Sequence, residues 1–351
     1  MNILYGVPSE GMGHATRSKV IIDHLLKKHN VQIVTSDRAF TFLSKYFPDR
    51  VHRIDGFHLA YKNAALSFGD TVFNLLKNAP KNLLRNFQQY MNIVNNFEID
   101  LVISDFESFT HFYAKIQKKP LISIDNMQVI DRCSLDISVP HDEKLNHALA
   151  KSIISGKVFH ADSYLITSFF RPPIRKKYTN YIPSIIREEI VSAKRTVEDH
   201  IVVYQTSTSQ KNLVSLLQAL PNERFFVYGF HTEEQHGNVY LKQFSEVEFV
   251  HHLASAKAVL SNGGFSLLSE AVYLHKPIFS VPIKNQFEQF VNASYVEKLG
   301  FGRHFEKFTS DNLKAFLFDL KLFQASLKHY TQKGNEEAFE SIDREIDRVM
   351  S

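Results

Sequence analysis

The sequence predicts an α/β protein made of two doubly wound, Rossmann-like domains that face each other across a cleft. Short apolar and β-branched runs alternate with amphipathic segments along the whole chain, a pattern typical of parallel sheets with helices on both faces. A segment rich in proline and charge, at residues 171–189, interrupts the alternation, which then starts again. The length of 351 residues exceeds what one ordinary hydrophobic core holds, so two domains are expected.

The first half opens with a strand pattern followed by a helix pattern. The helix is predicted over residues 15–28, where Val20, Ile21 and Leu25 share one face. Nearly continuous apolar runs predict strands that are buried on both faces of a parallel sheet. These candidate strands lie at residues 2–7, 31–36, 100–105, 121–125 and 163–168.

The second half repeats the alternation. Proline in the intervening segment stops regular structure, so we place the linker at residues 181–187 and the domains at residues 1–181 and 182–351. The last helical segment is assigned to the second domain, and its packing back onto the first is left open. Ligands of open parallel sheets bind beyond the carboxyl ends of the strands, which would face the cleft. The candidate strands lie at residues 201–207, 224–230, 247–252, 258–262 and 277–282.

Composition and charge narrow the class of protein. The net charge of +4 and the pI near 8.8 are mild, and no nucleic-acid-binding motif is recognisable, so no nucleic acid partner is expected. The single cysteine, Cys133, excludes an intramolecular disulfide and fits a reducing compartment. Because the sequence shows neither a signal-peptide pattern nor an apolar run of spanning length, we expect a cytoplasmic protein.

Glycine is scarce, with 13 residues in all, yet it gathers at two predicted strand ends. Gly11 and Gly13 lie in GMGHATRS after the first strand, and Gly263 and Gly264 lie in SNGGFSLLSEA in the second half. Glycine is required where the backbone takes a positive φ or approaches a ligand closely, and the N-terminus of the helix after Gly264 suits a phosphate. A tight turn without a ligand explains the same residues, and spacing alone leaves both interpretations open.

The stretch from this glycine turn onward, at residues 261–302, resembles the donor-binding segment of nucleotide-sugar glycosyltransferases with the two-domain GT-B fold. It contains in order a glycine turn, a Ser-Glu-Ala helix, a Pro-x-x-x-x-Pro strand, an acid–Gln pair and Asn-Ala. It is most similar to glycosyltransferase family 28 and the MurG-like transferases, and more distantly to the UDP-glycosyltransferases. The resemblance implies an inverting, hexosyltransferase-type enzyme that moves a sugar from a nucleotide donor, most simply UDP-linked, to an acceptor hydroxyl.

The resemblance also implies which residues bind the donor. Glu270 matches the glutamate that binds the ribose, and Glu288 and Gln289 match the pair that hydrogen-bonds the donor sugar. A glutamate exposed on the helix surface is the alternative for Glu270. The backbone that would contact the diphosphate belongs to Gly263, Gly264, Phe265 and Ser266.

Two further stretches are similar to donor-binding loops of these enzymes. Thr206 and Ser207, in QTSTSQ, correspond to a Gly/Ser loop near the phosphate, and helix N-capping is the alternative. Val250 and His251, in FVHH, lie where these enzymes have the loop around the nucleobase. His251 and the adjacent His252 would stack on or flank the nucleobase, and two solvated loop histidines are the alternative.

The catalytic base in these enzymes is a histidine on the first glycine-rich turn, and His14 matches it. Imidazole titrates near neutral pH and can take the proton of an acceptor hydroxyl; a solvent-facing helix histidine is the alternative. A carboxylate would orient this base, and either Asp105 or Asp125, each at a strand end, could supply it, with Asp105 preferred. Both aspartates could instead be helix N-caps. Arg17, one turn after His14, would steady the leaving diphosphate or pair on the surface.

The chain has no Asp-x-Asp motif, so we expect helix N-termini to hold the diphosphate, with no essential metal and no cofactor. The stretch at residues 68–97 begins at Phe68, ends at Phe97 and mixes large apolar residues with lysine and arginine. It predicts either a helix packed on its own domain or peripheral contact with the inner face of an anionic membrane. Such contact would suit a lipid-linked or cell-envelope glycan acceptor.

Because fold does not fix function, two other activities stay open from sequence. A UDP-sugar 2-epimerase is one, although no extra carboxylates accompany Glu270. A nucleotide-sugar-binding protein without catalysis is the other.

Overall fold

A computed structural model describes residues 1–9, 11–54, 97–205 and 212–351. The chain forms two compact units. The second unit contains Ile137–Asn146 and Ile186–Gly334. The first contains Met1–Asp136, His147–Ile185 and Asn335–Ser351, so the C-terminal segment belongs with the N-terminal sheet.

The sheet of the first unit has seven parallel strands in the order β3-β2-β1-β4-β5-β6-β7. All five strands predicted in the first half are confirmed. The prediction that residues 171–189 are irregular is wrong in part, because β7 lies within them and pairs in parallel with β6. The bounds are β1 Asn2–Gly6, β2 Asn30–Thr35, β3 Val51–Arg53, β4 Leu101–Ser104, β5 Leu121–Asp125, β6 Ser163–Thr167 and β7 Thr179–Ile182.

The sheet of the second unit also has seven strands, in the order β10-β11-β9-β8-β12-β13-β14. All neighbours are parallel except β10 and β11, which form an antiparallel pair at one edge. The bounds are β8 Ile201–Tyr204, β9 Phe225–Tyr228, β10 Glu234–His236, β11 Val239–Lys242, β12 Ala258–Ser261, β13 Ile278–Ser280 and β14 Gly302–His304.

Helices connect the strands and cover the sheets. In the first unit, α1 and α13 bury Ile21, Leu25 and Ile342 against strand residues such as Ile3 and Ile103. In chain order the helices are α1 Met12–Leu25, α2 Asp37–Tyr46, α3 Ser108–Ile116, α4 Gln128–Arg132, α5 Lys144–Lys157, α6 Glu188–Val191, α7 Leu213–Gln218, α8 Glu246–Ser255, α9 Phe265–Tyr273, α10 Phe287–Lys298, α11 Ser310–Phe318, α12 Leu320–Leu327 and α13 Glu336–Met350.

One predicted strand of the second half is wrong. Residues 247–252 lie in α8, and the strand that precedes this helix is β11. The side chain of Ser245 accepts a hydrogen bond from the backbone N–H of Glu248 and so caps the helix. The other four strands predicted in this half are confirmed.

The predicted fold class is therefore confirmed: two doubly wound, largely parallel α/β sheets. In each sheet the strand order reverses direction once, between β1 and β4 in the first unit and between β8 and β12 in the second. Ligands of such sheets bind beyond the carboxyl ends of the strands at this switch point. Within the described residues, no helix is both long and apolar enough to cross a bilayer.

Candidate active site

The switch point of the first sheet brings together a histidine and an aspartate that are 91 residues apart in the chain. His14 lies in the first turn of α1, which follows β1 and begins after Gly11, whose φ is +94°. Asp105 directly follows β4, the neighbouring strand. Nδ1 of His14 is 2.9 Å from Oδ1 of Asp105. The histidine side chain is 17% exposed and the aspartate fully buried, so the imidazole alone can meet a ligand.

Asp105 is held as a carboxylate by its surroundings. Nε of Arg17 donates to Oδ2 at 2.8 Å, Nη2 of Arg17 contacts Oδ1, and Oγ of Ser18 donates to Oδ2 at 2.9 Å. Burial alone would raise the pKa of Asp105, but the charge of Arg17, followed by His14 and the hydrogen bonds, lowers it to about 2. The aspartate is therefore an anion at neutral pH despite full burial.

The ring of His14 has two tautomers, and its neighbours favour one. A carboxylate accepts but cannot donate, so the contact with Asp105 is a hydrogen bond only when Nδ1 carries the proton. Nη2 of Arg17 lies 2.7 Å from the same nitrogen and would be its donor in the other tautomer. Because Asp105 is charged and buried, the proton belongs on Nδ1, which leaves Nε2 as the acceptor.

Asp125, the other candidate partner, makes different contacts. Its carboxylate accepts from Oγ of Ser123 at 2.8 Å and from the backbone N–H of Gln128 at 3.0 Å, so it caps the turn that leads into α4. Burial raises its pKa. The neighbouring Asn126 accepts a hydrogen bond from Nη1 of Arg17. The structure thus pairs His14 with Asp105, and Asp125 with its own turn.

Arg17 does not pair on the surface, which was one of the two roles left open for it. It is only 4% exposed, because its guanidinium lies between Asp105 and Asn126. Gly13 lies in the first turn of α1 beside His14. Residue 10, which precedes Gly11 in the sequence, lies outside the described residues.

In the second unit, the predicted glycine turn follows β12 at the switch point. Gly263 has φ +93°, and its backbone N–H donates to Oγ of Ser261 at 3.0 Å. Nδ2 of Asn292, a buried side chain of α10, donates to the Gly263 carbonyl at 3.1 Å. Gly264 is the N-cap of α9, and no side chain of the described residues caps that helix. Phe265 and Ser266 form its first turn, where N–H groups favour an anion.

Glu270 lies on α9, and the structure gives it a partner that sequence reasoning missed. Nε of Arg187 is 2.6 Å from Oε1 of Glu270, and Nη2 is 2.9 Å from Oε2. Nη1 of the same arginine donates to Glu246 at 2.9 Å. Burial opposes the charge of Arg187, but Glu270 and then Glu246 outweigh it and raise the pKa of Arg187. Glu270 is thus a buried, paired carboxylate and not an exposed one.

The remaining donor-binding candidates have varied surroundings. Oε1 of Gln289 accepts from the backbone N–H of Ile283 at 3.0 Å, which ties this side chain to the loop after β13. Glu288 is half-buried in the first turn of α10. Val250 and His251 lie in α8, not in a loop, because the Ser245 cap starts the helix before them.

Of the α8 pair, Val250 is buried and His251 is exposed. Thr206, Ser207 and most of residues 68–97 lie outside the described residues. Within the described residues, no three His, Cys, Asp or Glu side chains are grouped closely enough to hold a metal ion.

Three polar partners were absent from the sequence interpretation: Arg187, Ser18 and Asn126. Ser18 is four residues after His14 and one after Arg17, so helical spacing could have suggested it. Asn126 follows a predicted strand and lies at the same edge of the sheet as Asp105. Arg187 is 83 residues from Glu270, and no local pattern connects the two.

A family model for glycosyl transferase family 1 matches residues 1–321. The chain belongs to this family. The match covers both sheets, including the His14–Asp105 contact and the Gly263 turn. The protein is therefore a glycosyltransferase, as the sequence resemblance implied. The comparisons do not single out family 28 or the MurG-like transferases.

Two archaeal relatives support the assignment. An uncharacterized glycosyltransferase of Methanosarcina mazei is 23% identical over 329 residues, which cover 86% of this chain and 85% of the relative. One of Methanosarcina acetivorans is 22% identical over 328 residues, with the same coverage.

Solved glycosyltransferases share the fold over nearly the full length. The calicheamicin glycosyltransferase CalG4 superposes with a TM-score of 0.65 at 14% identity, covering 99% of this chain and 98% of its own. UGT2 of Phytolacca americana, complexed with UDP-2-fluoro-glucose and pterostilbene, has a TM-score of 0.67 at 11% identity and covers 100% of both chains. At these identities the likeness shows the GT-B fold alone.

Proposed function

We propose that this glycosyltransferase moves a hexosyl group from a UDP-sugar to an acceptor hydroxyl with inversion at C1. The observation that carries the proposal is the 2.9 Å contact between His14 and Asp105 at the switch point of the first sheet. A buried carboxylate that orients a partly exposed imidazole is the arrangement that general base catalysis requires.

In the proposed step, Nε2 of His14 takes the proton of the acceptor hydroxyl while the hydroxyl oxygen attacks C1 of the donor sugar. The bond between C1 and the diphosphate oxygen breaks, and its electron pair leaves with UDP. Attack opposite the leaving group inverts C1. Asp105 stabilises the imidazolium that forms, and Arg17 and Ser18 hold Asp105 in place. We therefore assign Arg17 a positioning role in preference to the diphosphate contact.

The second unit is proposed to bind the donor. The turn at Gly263 and Gly264 and the N-terminus of α9 would hold the diphosphate, and Glu270 would accept hydrogen bonds from the ribose hydroxyls. Glu288 and Gln289 remain the candidates for the donor sugar. Thr206 and Ser207 remain candidates for the phosphates, and Val250 and His251 for the base. The UDP-2-fluoro-glucose complex of UGT2 supports a UDP-linked donor.

Acceptor binding is assigned to the first predicted domain, residues 1–181. The same proposal includes a lipid-linked or cell-envelope glycan as the acceptor. It also includes peripheral membrane contact through residues 68–97 and a cytoplasmic location. No described contact favours the epimerase or the non-catalytic alternative.

A panel of UDP-sugars incubated with the protein and candidate acceptors tests the proposal. Mass spectrometry should detect a glycoside together with UDP, and NMR of the new glycosidic bond should show the opposite anomeric configuration to the donor. A donor isomer without a glycoside would indicate epimerisation, and retention at C1 would contradict the base mechanism.

A further inference from the structure

Helices α11 and α12 of the second unit expose two large apolar side chains that the fold does not use. Phe318 is 90% exposed and Leu322 is 66% exposed. The opposite side of the same helices is buried, with Phe316 at 0% and Phe323 at 8%. The core therefore explains the inner face of this pair and leaves the outer face without a function.

The two helices share one periodicity although Asp319 separates them. Phe316 and Phe323 are seven residues apart, and their rings stack with centroids 5.3 Å apart and planes 18° apart. The stacked rings place the buried sides of the two helices together, so their exposed residues lie on the outer side. Phe318 ends α11, and Leu322 lies in the first turn of α12; exposed lysines lie near both in the sequence. We call this surface the α11–α12 face; its exposed members are Lys314, Phe318, Lys321, Leu322, Ala325 and Lys328.

The charges on this face are of one sign. Asp319 is paired with Arg303 at 2.8 Å, and Asp311 lies 3.5 Å from Lys314. Lys321 and Lys328 form no ion pair within the described part of the chain. Two exposed apolar side chains near two uncompensated lysines, Lys321 and Lys328, match an anionic bilayer surface. The acyl chains of the bilayer accept the apolar side chains, and its phosphates attract the lysines.

We propose that the α11–α12 face binds an anionic lipid bilayer, with Phe318 and Leu322 inserted below the head groups and the lysines at the lipid phosphates. A second copy of the chain fits this face poorly, because a two-fold contact would set its lysines against one another. Two large apolar side chains are also few for a stable protein interface. The face shares no residue with the proposed donor or acceptor sites and does not depend on residues 68–97.

Sedimentation of the full chain with vesicles tests the proposal. The protein should sediment with vesicles of equal parts phosphatidylcholine and phosphatidylserine, bind pure phosphatidylcholine weakly, and detach as salt is raised. The variant Phe318→Ser/Leu322→Ser and the variant Lys321→Glu/Lys328→Glu should each bind anionic vesicles at least about tenfold more weakly. Both variants change exposed side chains, so both should fold.

Matched controls come from exposed residues elsewhere in the same unit. The variant Lys194→Glu/Lys284→Glu makes the same charge change, and Val197→Ser removes an apolar side chain that is 68% exposed; both should bind vesicles like the wild type. The proposal is overturned if the wild type does not sediment with anionic vesicles, or if the face variants sediment as well as the wild type. It is also overturned if the control variants lose as much vesicle binding as the face variants. Sedimentation velocity that shows a dimer dissolved by the serine variant would overturn it in favour of a self-association surface.

Discussion

The guanidinium of Arg187 lies across the carboxylate of Glu270 and contacts both of its oxygens, at 2.6 and 2.9 Å. The two side chains are 12% and 9% exposed, so the pair is largely desolvated and its geometry is fixed. A carboxylate has about four acceptor positions, and Arg187 uses two of them. The two that remain match in number the two hydroxyls of a ribose, so the arginine would orient the carboxylate without blocking it.

Single and double substitutions of this pair should separate its structural role from ribose binding. Glu270→Ala leaves Arg187 buried beside Glu246 alone and should lower the free energy of unfolding by about 3–5 kcal/mol. The double variant Arg187→Met/Glu270→Met removes both charges and should recover most of that loss. Chemical denaturation of the wild type, the single variant and the double variant measures these three free energies of unfolding.

Nucleotide affinity should respond differently from stability. The wild type should bind UDP about tenfold or more tightly than 2′,3′-dideoxy-UDP, because hydrogen bonds to a charged acceptor are strong. The double variant should bind both nucleotides equally. Calorimetry gives the affinities, and a wild type that does not distinguish the two nucleotides would remove Glu270 from the donor site.

His14→Ala should reduce kcat by about 10²–10⁴-fold, the usual contribution of a general base. Donor affinity should change little, because the proposed donor residues lie in the other unit. Asp105→Asn should give a smaller loss of kcat together with reduced stability, because Arg17 loses its buried carboxylate. Steady-state kinetics with the identified acceptor provide the measurement, with His141→Ala, an exposed histidine, as control. Turnover of His14→Ala close to wild type would mean that another group is the base.

The sequence predicted the parts of the site that depend on local patterns. A buried strand, a glycine turn and a helix are consecutive at Gly263, so apolar periodicity and glycine positions were enough to place them. His14 and Asp105 each follow a strand, and the rule for parallel sheets brings such ends to one edge. The choice between Asp105 and Asp125 needed the structure, because both are strand-end aspartates and only the contacts distinguish them.

The segment at residues 247–252, predicted as a strand and found in α8, shows that a strand-like composition can compete with a helix-capping signal. Residues 247–252 contain the β-branched and aromatic residues that are typical of a strand, yet Val247 is 82% exposed and the segment is helical. The deciding signal was Ser245 followed three residues later by Glu248, a capping-box pattern. Arg187 shows a second kind of limit, since its partner is 83 residues away and the pairing exists only after folding.

The free energy of unfolding should fall in mild acid because α3 contains a buried histidine, His111. Burial lowers the pKa of His111 to about 3, whereas an unfolded histidine titrates near 6.5. Between these values the unfolded chain binds a proton that the folded chain does not, so the free energy of unfolding falls as pH falls. His111 alone should account for about 2 kcal/mol between pH 7.5 and pH 5.

The substitution His111→Gln isolates this effect. Nε2 of His111 accepts from the backbone N–H of Phe159 at 3.2 Å, and a glutamine oxygen can accept the same bond without titrating. Urea denaturation at pH 7.5 and pH 5 should show a smaller difference for the variant than for the wild type, by about 2 kcal/mol. Equal differences would mean that other groups cause the acid sensitivity.

The adjacent glycines of the second unit should respond in opposite ways to alanine. Gly263 has φ +93°, and a Cβ there would lie 2.8 Å from the Gln289 carbonyl oxygen. Gly263→Ala should therefore cost about 1–3 kcal/mol of stability. Gly264 has φ −64°, and a Cβ there would meet no atom of the described residues within 4 Å beyond its chain neighbours. Gly264→Ala should therefore leave stability unchanged or raise it by up to about 1 kcal/mol.

This difference makes Gly264→Ala the sharper test of the diphosphate site. If the turn approaches a phosphate closely, the added methyl group should weaken UDP binding about tenfold, the loss of roughly one hydrogen bond to a charged group. Uridine, which lacks phosphate, should bind the variant and the wild type equally, so calorimetry with both ligands separates a phosphate contact from a change in the fold. Because the added methyl group should contact nothing in the free protein, weaker UDP binding would have to result from its contact with the bound phosphate. Unchanged UDP affinity in a stable Gly264→Ala variant would show that the diphosphate lies elsewhere.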